Sequence, residues 1–198
     1  MNRAGFLLLL TGWVVMLSLS SCKKNIENRS FEHKFDLSDL VDSQVIYLSA
    51  NHYGVRKISS LGDKKDTVEN YPDSSGWAKE LNILKTVDVS KPGLRPYYNF
   101  KSYQDASCQI ESYNLTDTGR LNTIYQKIFR DKITKKLARI EAEQIIDNPI
   151  YHSSRYIEII FKQDDADTPV IDSLKVKGYQ KMIFQDTAFY NSIAKIIQ

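Results

Sequence analysis

The chain has 198 residues, with 27 lysines and arginines against 24 aspartates and glutamates, a formal net charge of +3. The two signs are interleaved along the chain, without the clustered basic stripe that holds nucleic acid, so no nucleic-acid partner is expected. Two cysteines exclude a disulfide framework, and the length suffices for a domain that buries its own core.

The first predicted element is a leader. Arg3 is the only charge ahead of an apolar stretch from Phe6 to Leu19, which has the shape of an export signal. A membrane-spanning helix needs about 20 apolar residues, and here Ser18, Ser20, Ser21, Lys23 and Lys24 end the run early. Leu19-Ser20-Ser21-Cys22 closes the leader with an aliphatic residue, two small residues and a cysteine. This stretch resembles the lipobox of bacterial lipoprotein precursors.

The resemblance covers the leader alone. It implies removal of residues 1–21, a diacylglyceryl thioether on Cys22 and, as in diderm bacteria, an acylated amine. Two or more acyl chains hold a protein stably on a bilayer, so the expected partner is a membrane, reached through lipid on Cys22. Lys23 stands where many enteric inner-membrane lipoproteins have aspartate, which favours the outer membrane. Cleavage removes Arg3 and no acid, leaving 26 basic against 24 acidic side chains.

Residues 22–34 are polar and aperiodic past the cysteine and read as a lipidated tether; a flexible coil of about a dozen residues spans roughly 20 Å. Residues 35–198 form the predicted single domain. Phe35 or Asp36 opens a helix in which Leu37, Leu40, Val41, Val45 and Leu48 make one stripe, and Gly54 marks its far side. Val55 to Leu61 and Thr67 to Tyr71 flank Gly-Asp-Lys-Lys-Asp as a short hairpin. Asp73, Ser74 and Ser75 are alternative N-caps of a second helix with Trp77, Leu81 and Leu84 on one face. Two prolines and a glycine then end the helical part.

From Tyr97 the apolar period is two, as in Cys108/Ile110, Ile157/Ile159/Phe161 and Leu174/Val176/Gly178, followed by Met182/Phe184. Short polar turns between such runs build an antiparallel meander. Residues 133–146 fit both templates and are read as strand because strands flank them. The stretch from Ala188 to the end is open between an edge strand and a closing helix. The predicted class is α+β, an N-terminal helical part packed on a C-terminal antiparallel meander that could curve into a half-barrel. The mature chain also resembles, loosely, uncharacterised exported lipoproteins with that layout and a Tyr-Gln-Lys strand, here Tyr179-Gln180-Lys181; this resemblance carries no known activity.

Candidate chemistry is sparse. His33, His52 and His152 occur without metal-ligand spacing, and His152 beside Ser153 lacks a nucleophile elbow. Asp164, Asp165 and Asp167 lack the glycine and glutamate of a calcium loop. A hydrolase would need His52 or His152 brought to a carboxylate and a hydroxyl. Lys175, Lys177 and Lys181 share a face with Tyr179, opposite Leu174, Val176, Met182 and Phe184, as a solubilising face or one that meets anions. Tyr97, Tyr98 and Tyr103 are candidates for an exposed patch. Cys108 is expected to point with Ile110 into the core. Asp66-Thr67, Asp172-Ser173 and Asp186-Thr187 resemble O-glycosylation acceptors.

Expected, therefore, is a non-catalytic, lipid-anchored envelope protein that binds a protein partner, with no catalytic residue, metal or cofactor. The alternative is a carrier of an apolar or lipid ligand in a pocket between sheet and helices.

Overall fold

The computed structural model describes residues 35–117, 121–165 and 168–198. Cys22, with the leader, the tether and His33, lies outside them. The first helix, α1, runs Leu37–Ala50; the Asp36 carboxylate caps it by accepting from the Ser38 and Asp39 amides. Leu37, Val41, Val45 and Leu48 are buried, as their spacing requires. β1 (Gly54–Leu61) and β2 (Lys64–Asn70) form the expected hairpin around a two-residue turn, Gly62-Asp63, with Gly62 at φ +56°. The second helix, α2 (Ser74–Thr86), is capped by Asp73 and buries Trp77, Leu81 and Leu84.

A 3-10 turn at Arg95–Tyr97 leads into seven strands joined as successive hairpins: β3 (Tyr98–Gln104), β4 (Cys108–Leu115), β5 (Thr123–Asp131), β6 (Leu137–Asn148), β7 (Tyr151–Gln163), β8 (Pro169–Met182) and β9 (Ala188–Ile197). The antiparallel sheet is open, in the order β2-β1-β9-β8-β7-β6-β5-β4-β3. The C-terminal stretch is thus a strand, and an interior one. β9 pairs β8 on one side and β1 on the other, so the early hairpin extends the meander.

This order dictates where α2 must go. β2 and β3 are opposite edges of a nine-stranded sheet, separated by roughly 40 Å measured along the sheet at about 4.8 Å per strand. The chain passes from one edge to the other through the 13 residues of α2, about 20 Å of helix, and the segment after it. One buried cluster joins Leu37, Leu48, Trp77 and Leu84 of the helices to Ile128, Ile140, Ile157, Ile159 and Ile171 of the sheet. The face that carries these strand residues is the inner face. Among the described residues no helix is long and apolar enough to cross a membrane.

Two expectations need correction. Cys108 is only half-buried, and Ile110, although buried at 4% exposure, pairs with the likewise buried Phe129 on the outer face, away from the helices. On β4 it is Tyr113 that joins the helix-side cluster, because alternation sends residues 111, 113 and 115 inward. Met182 keeps the phase of the inner face as the last residue of β8 but stands beyond the buried cluster, 47% exposed, whereas Phe184 does not continue that face: the chain turns after Met182, and Phe184, at φ +65°, is 97% exposed.

Candidate functional site

Arg155 of β7 lies on the inner face with Ile157 and Ile159, by strand alternation. Its cross-strand neighbour on β8 is Gly178, whose neighbour on β9 is Tyr190. A Cβ at Gly178 would meet the Ser154 carbonyl oxygen at 2.0 Å and the Tyr190 Oη at 2.9 Å. With no side chain on the middle strand, the outer two residues touch: Arg155 Nε donates to Tyr190 Oη at 3.2 Å.

Two open clefts share Arg155 as a wall. The larger, of about 380 Å³, has Leu174, Val176, Ala194 and Ile83 as its apolar surface, with Lys57, Lys79 and Glu80 also lining it. Lys57 and Glu80 are ion-paired, which ties β1 to α2. The second cleft, of about 370 Å³, is lined by Thr86, Asp88, Tyr98 and Gln144 among others. Gln144 Nε2 donates to the Thr86 carbonyl at 2.9 Å and pins the last turn of α2 to β6. A helix C-terminus favours a cation nearby, and Arg155 shares the cleft with that end. Asp88 is 3% exposed and accepts from Ser38 Oγ and the Ser90 amide. Tyr98 is buried, its hydroxyl donating to the Thr123 carbonyl at 2.7 Å; burial pushes its pKa up to about 12. Among the described residues no carboxylate lies within ion-pair distance of Arg155.

The outer face is laced with charge. Lys175, Glu158, Glu141 and Lys127 are neighbours across β8, β7, β6 and β5, and Arg139 reaches both glutamates while covering the Phe129 ring at 4.1 Å. Lys177 lies over the Tyr156 ring, whose phenol is pushed well up by burial and by Glu141 and Glu158. Lys175, Lys177 and Tyr179 do share this face.

His152 is brought to a carboxylate and a hydroxyl: its Nδ1 lies 3.1 Å from Asp147 Oδ1 and its Nε2 lies 3.0 Å from Tyr179 Oη. The three residues sit on adjacent strands β6, β7 and β8, with the His152 and Asp147 side chains 39% and 74% exposed. Ser153 is buried on the opposite face, so the adjacent pair does not converge. His52 follows α1 at φ 54°, its amide bonded to the Ser49 carbonyl, as a helix-ending residue.

The remaining predicted residues disperse. Asp164 closes the β7–β8 turn by accepting from the Thr168 amide and also receives the Tyr47 hydroxyl; Asp167 lies outside the described residues. Of the three tyrosines proposed as a patch, Tyr98 is buried, Tyr97 packs against the core and Tyr103 is exposed, because residue 98 points inward at the first position of β3. Thr67 lies on the exposed edge strand β2, whereas Ser173 is half-buried within β8. Sequence reasoning missed Arg155, although a signal existed: it falls in phase with Ile157 and Ile159, a charge on an apolar face. No family model, no curated protein and no solved structure matches the chain.

Proposed function

We propose that this chain is a non-catalytic protein of the cell envelope, held on the outer membrane by lipid on Cys22, whose folded domain receives a small ligand with an apolar body in the cleft beside α2. One observation carries the reading: a cleft of about 380 Å³ with an apolar surface of Leu174, Val176, Ala194 and Ile83, above the roughly 300 Å³ at which ligand sites begin. In this reading the open sheet curves part-way around the helices as a half-barrel, and α2, crossing from edge to edge, leaves the cleft uncovered along its flank. The Asp147–His152–Tyr179 contacts act as lacing between three strands, which fits their exposure.

The test is extraction of the purified protein with organic solvent and mass spectrometry of the extract. Wild type is expected to release a bound small molecule that Ser192→Trp, a side chain built into the cleft, does not. An identical extract from both would remove the cleft from consideration. The anchor is tested apart from the cleft, by metabolic labelling with a palmitate analogue: the wild type takes up label and Cys22→Ala does not.

A second reading, a protein partner, rests on a different observation. Ile150, Ile183 and Phe184 are exposed by 63%, 51% and 97% on two adjacent hairpin ends, tied together by the Ile183 amide donating to the Ile150 carbonyl. Exposed apolar groups at one site mark contact surfaces.

A further inference from the structure

We infer that the ligand of this cleft is a monoanionic amphiphile whose carboxylate is received end-on by the Arg155 guanidinium; the inference rests on the cleft reading above. Arg155 is half-buried on the inner face, where its strand neighbours in phase are Ile157 and Ile159, both almost fully buried. A cation placed there without a counter-ion is costly, and the cost is relieved by an anion with good geometry.

Among the described residues no carboxylate lies within ion-pair distance of Arg155; Asp88 and the C-terminal end of α2 border the second cleft that it also walls, and Asp88 is already bonded to Ser38 and the Ser90 amide. Lys57 and Glu80 neutralise each other at the cleft's lip, and the charges left over along the lining are those of Arg155 and Lys79. The guanidinium is also oriented. Its Nε–H is taken by Tyr190 Oη, which fixes the plane and leaves the two terminal nitrogens to make parallel hydrogen bonds to one carboxylate, the fork geometry in which arginine surpasses lysine. Tyr190 therefore acts as a positioning residue, and Gly178 is the gap that allows it.

The apolar surface fixes the other half of the ligand. Leu174 and Val176 lie on β8 in phase with Gly178, and Ala194 lies on β9 beside Leu174. An acyl chain or comparable apolar body laid along them has its head at Arg155.

The test uses the chain from residue 23 onward, which keeps every helix and strand described and the whole buried cluster, and avoids detergent. Two probes are titrated by fluorescence: a dansyl-labelled undecanoic acid and the matching dansyl-labelled undecanol. The acid is expected to bind wild type at least about tenfold more tightly than the alcohol, the range of a charge-assisted pair. Arg155→Gln is expected to abolish the acid's advantage over the alcohol, with Arg155→Lys in between.

Equal binding of acid and alcohol by wild type would overturn the assignment of the head group while leaving the cleft reading intact, and this comparison needs no variant to fold. Binding of neither probe would overturn both. An acid preference that persists in a folded Arg155→Gln protein would overturn the role of Arg155 alone.

Discussion

Gln44 offers the sharpest test of how α1 is attached. It is 2% exposed, and its amide reaches two backbone groups of β8: Nε2 donates to the Pro169 carbonyl and Oε1 accepts from the Ile171 amide, both at 2.8 Å. The reason lies in the ladder. β9 pairs β8 only from Ser173 onward, so the side of Pro169 and Ile171 that faces away from β7 has no strand beside it. The glutamine substitutes for one.

Gln44→Met keeps the length and removes both bonds, leaving a buried N–H and a buried C=O without partners at about 1–3 kcal/mol each. The gain from burying an apolar side chain offsets about 1 kcal/mol. The net loss expected is about 1–5 kcal/mol, read as a lower urea midpoint at unchanged slope. Gln44→Glu should be partly rescued at low pH, where a protonated carboxyl again donates and accepts. A loss for Gln44→Met below about 0.5 kcal/mol, the level of an ordinary surface change, would refute the reasoning.

Gly178→Ala should destabilise by about 1–3 kcal/mol through overpacking, since its Cβ meets the Ser154 carbonyl at 2.0 Å. Gly93→Ala, with nothing within 4 Å, is the matched control, and equal melting temperatures for the two variants would contradict the close approach. At the β5–β6 turn Asp131 accepts from the Thr134 amide and hydroxyl and the Ile133 amide, and these hold its carboxyl below the ordinary value of 3.8. Asp105 is held down in the same way by the Cys108 and Ser107 amides. A depressed folded pKa means that the stabilisation is complete above the unfolded value and fades as pH falls through the folded one. Carboxyl titration by NMR should show both midpoints below ordinary aspartate, and an Asp131→Asn protein should lose that part of its acid sensitivity.

The local part of the fold was legible. Both helices follow from their stripes and aspartate caps, because a 3.6-residue period and a capping side chain are properties of neighbouring residues. Residues 133–146 were ambiguous for a reason the register explains. Arg130 pairs with Leu137 while Phe129 pairs with Arg139, so one residue of β6 is extra. This bulge puts Leu137 on the face of Ile140, and a helix-like spacing appears in a strand.

The adjacency of β1 and β9 rests on pairs such as Val55 with Ile196, which no local pattern encodes. The site followed the same division. Arg155 could be placed on the inner face by its phase, but its contact with Tyr190 depends on Gly178 from a third strand, and that requires the strand order. Gln44 falls within the apolar stripe of α1 and reads there as a flaw; its partners lie 125 and 127 residues away.

Substitutions at Cys108 test its surroundings. The side chain is half-buried at the first position of β4, on the outer face, with Asp131 as its cross-strand neighbour. Its Sγ accepts from the Ser107 hydroxyl at 3.7 Å, so a polar partner already stands beside it. Placing a hydroxyl in a fully apolar site without a partner costs about 1–3 kcal/mol. Neither condition holds here: part of the atom's surroundings is water, and a serine at 108 could bond to Ser107. Cys108→Ser should therefore cost under about 1 kcal/mol, and Cys108→Ala no more. A water-soluble maleimide should modify native Cys108 more slowly than the unfolded chain yet to completion, because partial exposure slows thiolate attack without preventing it. Complete protection of the native thiol, or a loss above about 2 kcal/mol on conversion to serine, would place Cys108 in an apolar pocket and contradict its half-burial at the start of β4.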